Sequence, residues 1–333
     1  MTTDAERPLL KVRDLKTHFT LKSGGLLGGT KKVLKAVDGV SFDLAAGEVL
    51  GIVGESGCGK STVGRTLTRL EDATGGTAEF DGREMLSLSK AAFRPLRREI
   101  QMIFQDPFAS LNPRLTIEQT LAEPVRIHGL ETTREGIRAR IARTLTQVGL
   151  DPKVMNRHPH EFSGGQRQRI GIARVMIVEP KLVIADEAVS ALDVSIQAQV
   201  LNLIKDLQKE SGISMLFISH DLGVVRHICD RVAVMYLGRI VETAPKATLF
   251  SAPSHPYTRL LLASIPRIRP GRIPAEDRGE PASAAAPPPG CPFHPRCPIA
   301  TDICRSERPQ PVDLGNGQFS ACHHAGKQQG EAA

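Results

Sequence analysis

The sequence predicts an α/β fold built around a mainly parallel sheet, and three observations carry that expectation. Strand-like apolar runs recur at residues 182–185, 215–219 and 232–236, with helical stretches between them, one over residues 195–211. Strands that alternate with helices pair in parallel and are covered on both faces. A further strand-like run, residues 48–53, passes through a glycine-rich turn into a helical pattern over residues 59–70. The 333-residue chain is 41% hydrophobic and 24% charged, enough to bury a real core in one large domain or two smaller ones.

Taken in order, the chain opens on the polar stretch Met1-Thr2-Thr3-Asp4-Ala5-Glu6-Arg7. It has no apolar h-region, so a secretory signal is not expected. Strands are predicted at residues 9–12 and 40–44, ahead of the one at 48–53. Between the first two, Gly24, Gly25, Gly28 and Gly29 with Lys31 and Lys32 predict an exposed hairpin or loop. Residues 113–150 carry helical spacing with many charges and predict a helical insertion. From Pro266 the composition shifts to Pro270, Pro274, Pro281 and Pro287 to Pro289 with few apolar residues. Residues 266–290 therefore predict a linker that cannot bury enough surface to fold alone, followed by a cysteine-bearing region, 291–333. No run approaches 18 apolar residues, so a membrane-spanning helix is not expected. The net charge of +7 first points to nucleic acid or a membrane surface, but no Trp, 2 Tyr and 11 Phe leave few rings for stacking bases.

The first chemical motif is Gly54-Glu55-Ser56-Gly57-Cys58-Gly59-Lys60-Ser61, which fits G-x-x-x-x-G-K-[ST] between a strand and a helix. Glycines let backbone N–H groups close around phosphate oxygens, and the helix start adds favourable partial charge. Lys60 is placed to reach the β and γ phosphates, the Ser61 hydroxyl to hold Mg²⁺, and Thr62 follows in the same turn. Asp186-Glu187 ends the apolar run Leu182-Val183-Ile184-Ala185. An acid at the carboxyl end of such a strand suits Mg²⁺ coordination, and the next acid suits orienting or deprotonating an attacking water. Cys58 at a helix start invites comparison with a reactive thiol, though a small passive loop residue is the simpler expectation. Cys229 is expected in the core.

Phe162-Ser163-Gly164-Gly165-Gln166 resembles the signature motif of ABC ATPases. Gln105 in Phe104-Gln105-Asp106-Pro107 looks like the Q-loop glutamine, and Ser190-Ala191-Leu192-Asp193 resembles the D-loop. His220 resembles the switch histidine, and Phe19 stands where the family places an aromatic under adenine. The resemblance implies a P-loop ABC ATPase domain over residues 1–265, with an antiparallel N-terminal β part and a helical subdomain at about 106–168. It implies ATP and Mg²⁺, the latter held by Ser61, Gln105 and Asp186. Catalysis falls to Glu187, His220 and Gln105. Nucleotide binding falls to Phe19, residues 54–62, Asp186, Ser163, Gly164, Gly165, Gln166 and Asp193.

The motifs around Gly57 to Arg65, Phe104 to Pro113 and Val189 to Gln199, with His255-Pro256-Tyr257-Thr258, narrow the resemblance to the ATPases of dipeptide/oligopeptide importers, and to the F-type subunit. Two departures stand in the motifs: Phe162 opens the signature in place of leucine, and Ala188 follows the catalytic acid in place of proline. The implied partners are a D-type sister ATPase in a head-to-tail heterodimer, two permeases and, through them, an extracytoplasmic solute-binding protein. The implied place is the cytoplasmic face of the inner membrane. The segment 104–112 is where a permease coupling helix would dock.

Four of the six cysteines follow residue 290, spaced Cys291-x5-Cys297-x6-Cys304-x17-Cys322. The spacing lacks the tight pairs usual for zinc and is compatible with an iron–sulfur cluster; zinc and unmetallated thiols stay open. Some members of the importer family carry a [4Fe–4S] cluster on a tail like this one, and the resemblance implies the same ligands here. His294, His323 and His324 are expected beside the ligands rather than among them. Two other classes of function fit the sequence less well. A DNA-maintenance ABC ATPase would need a long coiled coil, for which the interval between Gln105 and Ser163 leaves no room, and no nucleic-acid partner is expected. A stand-alone metal sensor would not need the ATPase set.

Overall fold

The computed structural model describes residues 7–22, 31–106, 110–190, 192–265 and 282–326. The glycine-rich segment, Pro107 to Ala109, Ala191 and most of the proline-rich linker lie outside the described residues. In chain order the strands are β1 Leu10–Lys22, β2 Lys31–Leu44, β3 Val49–Val53, β4 Gly75–Phe80, β5 Arg83–Glu84 and β6 Ile100–Ile103. They continue with β7 Leu182–Asp186, β8 Ser214–Ser219, β9 Arg231–Tyr236, β10 Arg239–Pro245, β11 Val312–Asp313 and β12 Phe319–Ser320. The chain divides into two compact units, one of residues 1–44, 49–87 and 219–333, the other of residues 45–48 and 88–218.

The first unit holds an antiparallel sheet in the order β2-β1-β4-β5. The hairpin expected around the glycine-rich segment is present as β1 against β2, and Lys31 and Lys32 already belong to the strand, paired with Lys22 and Leu21. The same unit carries strands in the order β11-β12-β10-β9-β3. β3 and β9 run parallel, with Leu50 opposite Arg231 and Val53 opposite Val234. Every residue of β3 is buried, as a strand covered on both faces requires. A helix, Lys60–Leu67, follows β3 and is tied to β1 by a 2.8 Å bond between the hydroxyls of Thr17 and Thr66. Residues 312–320 supply β11 and β12, and Glu242 of β10 pairs with Ser320 of β12, so the cysteine-bearing region is joined to the sheet edge.

The second unit holds β8-β7-β6, all parallel. β7 and β8 are buried at every position. The charged stretch expected as a helical insertion forms two helices, Ile117–Ile127 and Arg134–Gln147. The first opens on a capping box in which Thr116 and Gln119 satisfy each other's backbone N–H groups.

Candidate functional site

In the first unit, residues 54–59 form the turn between β3 and the helix Lys60–Leu67. Its glycines are set by close approach. At Gly54 a Cβ would lie 2.2 Å from the carbonyl oxygen of Met235, and at Gly59, with φ +105°, 2.0 Å from that of Ala36. Lys60 is buried, 4% exposed, and its Nζ donates to the carbonyls of Gly54 and Glu55, both at 2.9 Å. Ser61 and Thr62 follow, partly exposed, in the first helical turn. Ser56 and Gly57 are exposed. Cys58 is buried, and that burial pushes its thiol up, against the opposing pull of Lys60 at 3.8 Å. A buried neutral thiol is unreactive, which favours the passive reading of Cys58. Cys229 is fully buried in the core, and desolvation likewise pushes its thiol up.

Phe19 lies on β1 opposite Leu34 and is partly exposed. His220 follows β8 on the exposed surface. The next residue, Asp221, caps the helix Leu222–Ile228 by accepting from the N–H groups of Gly223 and Val224.

In the second unit, Asp186 closes β7 and is 2% exposed, with Glu187 directly after it. Glu187 has φ +47°, a left-handed conformation that costs a non-glycine residue about 1 kcal/mol. The turn is held by Ser190, whose N–H and hydroxyl both donate to the Glu187 carbonyl at 3.0 Å. Ala188, at the departure from the family's proline, is buried inside this turn. The Gln105 amide donates to a carboxylate oxygen of Glu187 at 2.9 Å, so two residues assigned from separate motifs meet. Ser163 caps the helix Gly164–Met176 through a capping box with Gln166. Gly165 sits so close to Ile196 that a Cβ would lie 2.4 Å from its Cγ2. Phe162 is buried, and Asp193 begins the helix Val194–Ser211.

The cysteine region belongs to the first unit. Cys291, Cys304 and Cys322 are buried and Cys297 is partly exposed, and all four are free thiols. The Cys291 N–H donates to the Cys304 carbonyl at 2.9 Å. Burial pushes the Cys291 thiol up to about 11, and Cys304, Cys322 and Cys297 push it the same way. Burial also raises Cys322. Among the described residues no group of three or more His, Cys, Asp or Glu is placed to hold a metal ion. The histidines take supporting positions: His324 Nε2 is 3.7 Å from the Cys304 sulfur, while His294 and His323 contact the carbonyls of Cys291 and Glu307 at 3.0 Å.

Sequence reasoning missed two residues at the phosphate loop. The Tyr257 hydroxyl accepts from the Glu55 N–H at 2.9 Å, and the Arg296 guanidinium holds the Glu55 carboxylate with two bonds of 3.0 Å. Arg296 lies 241 positions from Glu55, and no local pattern announces such a pairing.

A family model described as ABC transporter matches residues 37–190, and one described as oligopeptide/dipeptide transporter, C-terminal region, matches residues 241–304. The chain is 52% identical over 328 residues to the oligopeptide transport ATP-binding protein AppF of Bacillus subtilis, covering 97% of this chain and 99% of that one. It is also 52% identical over 319 residues to a putative peptide import ATP-binding protein of Brucella ovis, covering 95% and 98%. Among solved structures it resembles cbiO1 of Clostridium perfringens, part of the ABC transporter complex cbiONQ, with TM-score 0.63 and 28% identity over 74% of this chain and 92% of that one. A dimeric post-hydrolysis state of the ATP-binding cassette MJ0796 bound to ADP and Pi matches with TM-score 0.63 and 27% identity, covering 71% and 98%.

Proposed function

The chain belongs to the ABC transporter family, in its oligopeptide/dipeptide branch, and from that membership we propose how its residues serve the ATP-binding and hydrolysing subunit of a peptide importer. This family displaces the DNA-maintenance reading along nearly the whole chain. The observation that carries the site assignment is the phosphate loop, where buried Lys60 faces loop carbonyls and glycine is imposed at 54 and 59 by backbone contact.

On the first unit, the N–H groups of residues 54–62 and the Lys60 ammonium bind the phosphates of ATP, Ser61 is a ligand for Mg²⁺, Phe19 meets the adenine, and His220 contacts the γ-phosphate. On the second, Asp186 and Gln105 serve Mg²⁺, Glu187 polarises the attacking water, and Ser163, Gly164, Gly165, Gln166 and Asp193 serve the nucleotide of the sister subunit. Mg²⁺, when bound, would supply positive charge to the phosphates. The donor chemistry fits it: a hydroxyl, an amide oxygen and a carboxylate are hard oxygen ligands. The water oxygen bonds to the γ-phosphorus as the bridge to the β-phosphate breaks, and the Glu187 carboxylate takes the water's proton. The Gln105 bond at 2.9 Å fixes where that carboxylate points.

The Glu187→Gln variant is expected to keep ATP binding and to lose at least about a hundredfold in steady-state hydrolysis, the weight of a general base. Undiminished hydrolysis would overturn the assignment.

The ATPase acts with permeases and a substrate-binding protein, and as one of a pair of ATPases. The partner is a D-type sister, and the pair works at the cytoplasmic face of the cell membrane. No helix among the described residues is long and apolar enough to cross a membrane, which suits a peripheral subunit. Cys291, Cys297, Cys304 and Cys322 hold a [4Fe–4S] cluster. What supports this reading is four free thiols, three of them buried, with Cys304, Cys322 and Cys297 all acting on Cys291. When bound, the cluster cross-links the segments that carry its ligands. Anaerobically purified chain is expected to be brown, with about four irons and four sulfides; stoichiometric zinc without iron would overturn the cluster.

A further inference from the structure

Glu55, second in the phosphate loop, is gripped at three points. Its carbonyl accepts from Lys60 Nζ at 2.9 Å, its N–H donates to the Tyr257 hydroxyl at 2.9 Å, and its carboxylate takes both Nη atoms of Arg296 at 3.0 Å. A planar guanidinium laid against a carboxylate fixes orientation as well as distance. Arg296 is buried, 6% exposed, one residue before Cys297. It stands on a run of tight turns: His294 N–H donates to the Cys291 carbonyl at 3.0 Å, Arg296 N–H to that of Phe293 at 3.0 Å, and Cys297 N–H to that of His294 at 3.3 Å. Phe293, 1% exposed, anchors this turn among the rings of Tyr257 at 5.4 Å, Tyr236 at 5.5 Å and His255 at 5.8 Å. The same Tyr257 holds the Glu55 N–H. Two cysteines therefore bracket a short turn whose arginine holds Glu55 directly and whose phenylalanine packs on the tyrosine that bonds the same residue.

We propose that Arg296 is a positioning residue for the phosphate loop, and that through the Arg296–Glu55 pair the seating of Cys291 and Cys297 sets nucleotide affinity. The inference rests on reading residues 54–62 as the nucleotide site. A turn held in place keeps Glu55 and the Lys60 carbonyl contacts in register for phosphate; a displaced turn withdraws the guanidinium and lets the loop relax.

The test is an equilibrium titration of full-length, anaerobically purified chain with a fluorescent ATP analogue and Mg²⁺. Arg296→Ala and Glu55→Gln are each expected to weaken binding on the order of tenfold, a typical coupling between sites. The double variant should bind no more weakly than either single one, because both remove one interaction. Arg296→Lys should restore only part, since an ammonium cannot make the paired contact. In hydrolysis the change should fall on KM for ATP rather than on kcat. Cys297→Ser should weaken binding by a similar factor in the native background and add nothing to Arg296→Ala. Unchanged affinity in Arg296→Ala, or a Cys297→Ser effect that adds in full, overturns the proposal. If Arg296→Ala does not fold, Glu55→Gln, on the more exposed side of the pair, decides by the same criterion. Lys60→Ala separates the premise from the inference: binding that survives it refutes the nucleotide site, whereas Lys60-dependent binding indifferent to Arg296 refutes only the coupling.

Discussion

A Cβ at Gly59 would meet the Ala36 carbonyl oxygen at 2.0 Å, backbone against backbone, so no side-chain rotation relieves it. Gly59→Ala is expected to cost roughly 3 kcal/mol in chemical denaturation and to abolish nucleotide binding, through the clash and the left-handed φ together. Gly57→Ala is the comparison. Its φ is +78° but nothing lies within 4 Å of a Cβ there, so about 1 kcal/mol is expected and binding should persist. The glycine spacing was legible in the sequence because phosphate binding demands it. Which glycine is locked was not, because the carbonyl that locks Gly59 comes from a strand outside the motif. Glu55 shows the same limit: it reads as a filler position in G-x-x-x-x-G-K-[ST], yet it carries the bonds to Tyr257 and Arg296. Cys58, expected as a passive loop residue, is buried as that reading requires. The helix start was visible in the sequence, but the burial that keeps its thiol neutral was not.

Among the elements, the helix Pro256–Ala263 depends on His255, whose Nδ1 accepts from the Tyr257 N–H at 3.1 Å. That role needs the neutral ring. Complete burial pushes His255 from 6.5 down to about 3, only partly offset by a bond to the Ala321 backbone. Below pH 6.5 the unfolded chain takes up a proton that the folded chain refuses, so stability falls as pH drops towards about 3. The slope approaches about 1.4 kcal/mol per pH unit from this residue. His255→Asn, which can still cap, should flatten that slope in urea unfolding measured between pH 4 and 7; an unchanged slope would assign the acid sensitivity elsewhere. At this scale the sequence was informative wherever an element carried its own signal. The apolar runs of β3, β7 and β8 are of that kind. β11 and β12 have two residues each, too few to show any alternation, and they exist because β10 offers them an edge.

For the molecule as a whole, the sequence order conceals a division of labour. The phosphate loop, His220 and the cysteine region share one unit; Gln105, Glu187 and the signature helix share the other. A proline-rich stretch before the cysteines reads as a tether to something separate, since composition reports the linker and says nothing about where the far end docks. Docking is decided by Phe293 among three rings and by Gln318, whose amide donates to buried Glu242 at 2.9 Å. Truncation after residue 281 is expected to lower the thermal midpoint by about 10 °C or more, given that emptying one buried phenylalanine site costs about 3–5 kcal/mol. Nucleotide affinity should fall with it, and a truncated chain that melts like the full one would contradict this packing.

The pair of two-residue strands also has a consequence for crowding. A long open strand is a template on which another chain can lay its own backbone, and each new layer renews the template. β10, seven residues long, would be such a template if its outer side were bare. At Glu242 and Thr243 that side is taken by β12, and β12 in turn by β11, so over those two residues a joining chain would meet a two-residue strand and not a long one.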